Sequence, residues 1–359
     1  MNETTESEKR AQRETSGRHP KFMKTRIGIT EKNASAFRRP TALIVLILFR
    51  SAAGAQVSPS SENGPGGEYT LKLNANMVIL SATVLDRRNA LVSGLGKDNF
   101  HVYEDGVLQE IKQFSHEDIP VTAGILVDNS GSMGPKRDDV IAAAMAFARS
   151  SNPQDQMFVV NFNEQVSFGL PPNTPFTDRR DQLQRALSGI GAIGETALYD
   201  GIAAALDHLK QGSSDKKVLI LISDGGDDAS KHSLAQVIAS AKQSTAIIYA
   251  IGIFDEQDGD RNPIVLRRFA KETGGEAFFP NSSKEIASIC EQIARDIRNQ
   301  YTLAYIPAIA SQDGRYRTIE VKASAPSRGR LSVRTRAGYS VPLTSPMTAA
   351  EALRHDNHN

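Results

Sequence analysis

The sequence predicts an α/β fold: a doubly wound, mostly parallel sheet set into a β-sandwich built from the N- and C-terminal flanks. Three observations predict it. Between residues 121 and 300, apolar runs of strand length alternate with amphipathic helical segments, the pattern of strands buried on both faces under covering helices. On either side, short segments alternate apolar and polar residues between turn signals, the pattern of half-buried antiparallel strands. Each flank is too short to close a core alone and would leave strand edges open. Paired, the two make one sandwich.

The chain has 359 residues, a length that suits about two domains. Residues 1–55 read as an N-terminal extension and signal peptide. The run Thr41–Phe49 follows Arg38 and Arg39 and is apolar. As a helix it covers about 14 Å, against a bilayer core of about 30 Å. Ala53-Gly54-Ala55 fits a small-x-small cleavage site that leaves Gln56 as the mature N-terminus. No transmembrane span is expected after cleavage. The polar, basic stretch before the apolar run is long for such a leader and points to translation starting further along, with Met23 a candidate.

Residues 56–68 are a Pro/Gly/Ser-rich linker. Residues 69–118 form the first part of the sandwich. The segment 69–86 alternates, turns at Arg87-Arg88-Asn89-Ala90, and continues through 100–114, where Asp105-Gly106 marks a two-residue hairpin. Residues 119–300 form the α/β domain. Its strands are expected at 121–128, 156–162, 217–223, 246–253 and 276–280. Its helices are expected at 136–150, 179–187, 197–210, 233–242, 263–273 and 284–300. Residues 301–342 return to strands: 300–308, a turn at Gln312-Asp313-Gly314, 315–324, and one further run over 330–342. Arg334 and Arg336 read as the wet face of that last run. Residues 343–359 read as a disordered tail.

Composition narrows the function. Charged residues at 23% and hydrophobic ones at 40% exclude a wholly disordered chain or a multispanning membrane protein. The net charge of +1 is uneven. Residues 1–55 hold 11 Lys/Arg and 5 Glu, a net +6, which leaves an acidic body of −5. An acidic body without a basic stripe argues against nucleic acid as a partner. The single cysteine, Cys290, excludes an internal disulfide and a cysteine-based zinc site. It lies among Ile286, Ile289, Ile293 and Ile297 at helical spacing, as a buried core residue would.

The chemistry-bearing residues cluster at strand ends. The first α/β strand ends at Asp128, and its loop runs Asp128-Asn129-Ser130-Gly131-Ser132. Alternate positions of that loop offer one carboxylate and two hydroxyls in a common direction. Gly194-Glu195-Thr196 precedes a helix and adds a third hydroxyl; Ser223-Asp224-Gly225 ends a later buried strand and adds a second carboxylate. In an open α/β sheet, such strand ends share one edge. All five donors are hard oxygens, which suits Mg²⁺, Mn²⁺ or Ca²⁺.

These three motifs together resemble the von Willebrand factor A (VWA) domain with its metal-ion-dependent adhesion site, as in integrin I domains, over about residues 120–300. The resemblance implies that Ser130, Ser132 and often Thr196 coordinate the ion directly. It implies that Asp128 and Asp224 act largely through waters or alternate with the ligand state. The flanks resemble a bacterial group of exported proteins at Val84-Leu85-Asp86, 92–95, 100–106, 301–307 and 336–339.

Such a donor set suits binding rather than catalysis. Three neutral hydroxyls and at most two carboxylates leave positive charge on a divalent ion, and a partner's Asp or Glu carboxylate can replace a bound water and neutralise it. The expected function is therefore an exported, adhesion-type protein-binding module, periplasmic, secreted or at the cell surface. Loops 161–165, 190–195, 226–231 and 254–262 would add specificity. The alternatives are a metal-dependent hydrolase and a structural scaffold with an unoccupied site. A hydrolase needs a base or a paired-metal carboxylate cluster. No histidine lies in the motif loops, and Ser130 occupies the place where a G-x-S-x-G elbow around Ser132 would need glycine.

Other acidic residues have simpler readings. Asp255, Glu256, Asp258 and Asp260 lack calcium-loop order and read as a solvated loop. Asp138 and Asp139 suit a helix start. Asp227 and Asp228 either strengthen the negative potential at Asp224 or are merely solvated.

Overall fold

A computed structural model of the chain describes residues 77–189, 191–254, 259, 261–308 and 314–341. The leader, the linker, the tail, the acidic residues Asp255, Glu256, Asp258 and Asp260, and the turn residues Gln312 and Asp313 lie outside the described residues.

The α/β layer is one six-stranded sheet. Its strands are β5 (Thr122–Asp128), β6 (Gln156–Phe162), β7 (Val166–Phe168), β8 (Lys217–Ser223), β9 (Ile247–Gly252) and β10 (Ala277–Phe278), in spatial order β10-β9-β8-β5-β6-β7. All pairings are parallel except the β6–β7 hairpin. Every residue of β5 and β9 is buried, so these strands carry no polar–apolar alternation. Six helices cover the sheet: α1 (Arg137–Ser150), α2 (Arg180–Ser188), α3 (Leu198–Leu209), α4 (Leu234–Gln243), α5 (Pro263–Thr273) and α6 (Ser283–Arg298). The start and stop of α5 show how local sequence sets them. Asn262 accepts a hydrogen bond from Val265 N at 3.2 Å, Pro263 fills the first turn, and Gly274 closes the helix in the left-handed region at φ 85°. Its buried face is Val265, Leu266, Phe269, Ala270 and Thr273. Cys290 is buried in the same core, and burial pushes its thiol up to about 12.

The flanks make two four-stranded antiparallel sheets. They contain β1 (Val78–Leu85), β2 (Phe100–Glu104), β3 (Val107–Gln109) and β4 (Ile111–Ser115) from the N-terminal side. From the C-terminal side come β11 (Tyr301–Tyr305), β12 (Tyr316–Ala323), β13 (Ser332–Arg334) and β14 (Gly338–Ser340). The orders are β13-β1-β11-β4 and β14-β12-β2-β3. Each sheet thus draws strands from both flanks. Val78 pairs Tyr305 and Ala82 pairs Tyr301 in one; Phe100 pairs Ala323 and Glu104 pairs Ile319 in the other. Leu80, Ala82, Val84, Phe100, Val102, Tyr301, Leu303 and Tyr305 fill the shared core. The β2–β3 hairpin turns on Asp105 (φ 47°) and Gly106 (φ 80°), two consecutive left-handed residues of the kind that match strand twist.

Four details depart from the sequence reading. The strand expected at 276–280 is only two residues long. The hairpin strand β7 is too short for its alternation to register. The run 330–342 is two strands, β13 and β14, in different sheets. Arg334 and Arg336 do not face water. Arg334 pairs with Asp296 on α6 and with Glu276, while Arg336 donates to the Lys242 carbonyl. Asp296 also accepts from Thr83 Oγ1 at 2.8 Å and Tyr249 OH at 2.7 Å, and Gln300 donates to that tyrosine oxygen at 3.1 Å. Polar residues on a short strand look alike whether they meet solvent or another layer.

This cluster joins the two layers, and Asp296 is buried. Replacing Arg334 by Met strands that carboxylate, with an expected loss of about 3–5 kcal/mol in urea unfolding. Adding Asp296→Asn should restore part of it. A loss below that of an exposed ion pair, about 1 kcal/mol, would contradict the assignment.

Candidate functional site

The five residues singled out in the sequence stand at the carboxyl edge of the parallel sheet or on the loop folded over it. Asp128 ends β5 and Asp224 follows β8, the neighbouring strand. Both are 2% exposed. Ser130 and Ser132 lie on the loop after β5, which winds into a 3₁₀ turn before α1. Ser130 is buried and Ser132 is exposed, so the cluster opens to solvent at Ser132.

Hydrogen bonds link four of the five. Ser130 Oγ and Ser132 Oγ lie 3.1 Å apart. Ser132 Oγ donates to Asp224 Oδ2 at 2.6 Å. Ser130 N donates to Asp128 Oδ1 at 2.9 Å, which bends the loop back over the strand end. Asp128 Oδ2 accepts from Ser223 Oγ at 2.6 Å. Thr196 comes to the same edge through its loop. The amide of Gly131 donates to the Gly194 carbonyl at 3.0 Å. The amide of Thr196 donates to Asp228 Oδ1 at 2.6 Å, and its carbonyl accepts from the amides of Asp228 and Ala229. Gly194 and Gly225 both sit at φ 85°, which L side chains rarely adopt. A Cβ on Gly225 would also meet the Asn262 carbonyl at 2.5 Å.

Several supporting residues were not read from the sequence as part of the site. Asn129 donates to Asn161 Oδ1 at 3.0 Å and accepts from Arg137 at 2.6 Å; Asn161 in turn donates to the Ala186 carbonyl. This buried set fixes the β5 loop against β6 and α2. Ser223 lay within the motif around Asp224, which was the available signal for its role. Asp227 accepts from the Tyr199 amide at 3.1 Å and from Ser230 Oγ at 2.5 Å, satisfying the start of α3. Asp227 and Asp228 therefore hold the Thr196 loop and α3, an outcome neither sequence alternative contained.

Burial is the main force on Asp128, and the neighbouring charge of Asp224 adds to it. Together they raise its carboxyl from 3.8 to about 6, against hydrogen bonds from Ser130 and Ser223 that pull it down. Two carboxylates that repel at one buried point, beside exposed hydroxyl oxygen, are a donor set that a hard divalent cation fits. Among the described residues, no three His, Cys, Asp or Glu side chains cluster as a metal site. The cluster that the hydrogen bonds draw together is two carboxylates, Asp128 and Asp224, with the hydroxyls of Ser130 and Ser132.

Residues 124–292 match the family model of the von Willebrand factor type A domain, and the α/β layer is such a domain. Three solved structures illustrate the likeness. A von Willebrand factor type A protein from Catenulispora acidiphila is 15% identical over 76% of each chain, at a TM-score of 0.46. The protein BatB from Bacteroides thetaiotaomicron, described as a conserved hypothetical protein, is 16% identical over 49% of this chain and 98% of its own, at 0.40. The vWF domain of the type V pili tip protein Mfa5 from Porphyromonas gingivalis is 15% identical over 50% of this chain and 95% of its own, at 0.43. No curated protein matches the chain. Among the described residues, no helix is long and apolar enough to cross a membrane.

The state of Asp128 has a measurable consequence in chelator. Its folded value of about 6 exceeds the ordinary 3.8, so the folded chain holds a proton between these values that the unfolded chain releases. Relative to Asp128→Asn, the wild type should gain up to about 3 kcal/mol as pH falls from 7 to 4. Parallel stability curves for the two proteins would show that Asp128 titrates normally.

Proposed function

We propose that the VWA domain of this chain holds a divalent cation, Mg²⁺ or else Mn²⁺ or Ca²⁺, at Asp128, Ser130, Ser132, Thr196 and Asp224. Through that ion it binds an acidic residue of a partner protein. The observation that carries this reading is the Ser132 hydroxyl. It lies 3.1 Å from Ser130 Oγ and 2.6 Å from Asp224 Oδ2, on the solvent side of two buried carboxylates. A bound cation would supply a Lewis-acid point to which a carboxylate adds. Ser130, Ser132 and Thr196 would offer it neutral oxygens, and Asp128 and Asp224 the balancing charge. Ser223 would keep Asp128 ionised and oriented by donating to it, and Asp228 would hold the Thr196 loop in place.

Catalysis is not part of the proposal. The histidine that follows Asp224 most closely in sequence is His232, whose Nδ1 lies 2.6 Å from Asp200 Oδ1 just before α4. It serves the loop before that helix. The export leader at residues 1–55 and cleavage before Gln56 belong to the same proposal, which places the mature protein in the periplasm, at the cell surface or outside the cell. A fluorescently labelled Asp-containing peptide and Mg²⁺ titrations read the two steps separately.

Calorimetric titration of Mg²⁺ or Mn²⁺ should give saturable heat with wild type and none with Asp128→Ala or Asp224→Ala. Ser223→Ala, which removes the bond to Asp128 and the one accepted from the Gly225 amide, should weaken binding about 10- to 100-fold. Equal heats from wild type and Asp128→Ala would refute the site.

A further inference from the structure

Isolated apolar side chains on a surface are ordinary. Here the two most exposed large ones among the described residues, Ile264 at 74% and Ile193 at 70%, both stand at the edge that carries the candidate site. Their positions are fixed by backbone bonds to the site's own loops. The amide of Ile193 donates to the carbonyl of Asn129, next to Ser130, at 2.9 Å, and its carbonyl accepts from Asn163 Nδ2, just beyond β6, at 3.1 Å. Ile264 is the second residue of α5. The helix cap Asn262 donates its amide to the carbonyl of Asp224 at 2.9 Å, and the chain reaches it from β9. In the strand order β9-β8-β5-β6, Ile193 thus stands on the β6 side of the two carboxylates and Ile264 on the β9 side.

Strands lie about 4.8 Å apart, so the isoleucines bracket the site across on the order of 15 Å. An extended chain advances about 3.3 Å per residue. A segment crossing this edge with its carboxylate at the centre brings residues two or three positions away over each isoleucine. The rim is also polarised. Beside Ile193 stand the exposed Glu164 and Glu195, joined by the bond from the Glu195 amide to Glu164 Oε2 at 3.1 Å. Near Ile264 stands the exposed Arg261.

We infer that the partner is an extended protein segment with a central Asp or Glu and an aliphatic residue two or three positions to each side. A basic residue sits at the end that meets Glu164 and Glu195. The inference rests on the proposed cation-dependent binding of an acidic residue and names the sequence around it. The two aliphatic contacts exclude water around the carboxylate. The charge pairing sets the direction in which the segment lies.

The test is a displayed random peptide library selected on the immobilised full-length chain in Mg²⁺ and eluted with chelator. The consensus peptide is then made and its affinity measured for wild type, Ile193→Ser and Ile264→Ser. Selected peptides should carry a central acid with aliphatic residues at those spacings. Each serine variant should bind the consensus peptide about tenfold more weakly, the effect of losing one buried aliphatic contact, with Mg²⁺ heats unchanged and the fold intact by circular dichroism. Acidic peptides with random or polar neighbours, bound equally by all three proteins, would overturn this inference and leave the cation reading standing. Peptides lacking an acid, or retained in chelator, would overturn both.

Discussion

Two like charges held at one buried point are the constraint around which the α/β edge is arranged. Asp128 ends β5 and Asp224 follows the adjacent parallel strand β8, and the strand register decides how they meet. Val127 lies opposite Ile222, so the next residue pair sets Asp128 against Ser223, whose hydroxyl donates to it. Asp224 falls one residue further, where the exposed Ser132 reaches it. A slip by one residue would bring carboxylate against carboxylate and take the hydroxyl away. Register in a buried sheet is strongly specified by its apolar faces. The hydrophobic runs of β5 and β8 therefore determine the electrostatics of the edge.

A second geometric demand comes from the insertion. The α/β layer leaves the sandwich after β4 and returns to it at β11, so both crossings must lie side by side. The sequence provides ties between them. Asp118 on the way in pairs with Arg298 on the way out at 2.7 Å. His116 lies 3.2 Å from the Asn299 carbonyl, and its ring stacks on Tyr301 with centroids 4.1 Å apart. The same crossing leads into the Asp296–Arg334 cluster. Because β5 begins at this crossing and ends at Asp128, the sandwich meets the amino ends of the strands. At the opposite, carboxyl edge Ser132 is exposed.

What could be read from the sequence divides along these lines. The buried parallel strands were legible because short runs such as Ile125–Val127, Val218–Ile222 and Ala246–Ile253 carry no charge and break off at polar loops. The residues of the proposed site were marked in the sequence by short local motifs, those of Asp128 and Asp224 at strand ends and that of Thr196 before a helix. The supporting residues were less so. Asn129 and Asn161 work as a pair across two strands, and nothing local distinguishes them from solvated loop asparagines. Arg334 was misjudged for the same reason: its acidic partners, Glu276 and Asp296, lie 58 and 38 residues earlier. Local sequence records the chemistry a residue offers. Only the fold records what it meets.

The treatment of nearby acidic residues bears on what the edge is for. Asp227 and Asp228 follow Asp224 closely, and directing either carboxylate to the centre would have made a site with a third negative charge. Both are turned elsewhere, Asp228 to the Thr196 amide and Asp227 to the start of α3. The centre keeps two carboxylates, and the charge on Asp128 is already disfavoured by burial and by Asp224. In the proposed role, a third carboxylate would satisfy the ion from within and leave little attraction for another molecule. Hydroxyls solvate the ion without neutralising it. Under that proposal, leaving the remaining charge to be met from outside would make the binding of an acidic partner favourable, and the exposed Ser132 is where that partner would arrive.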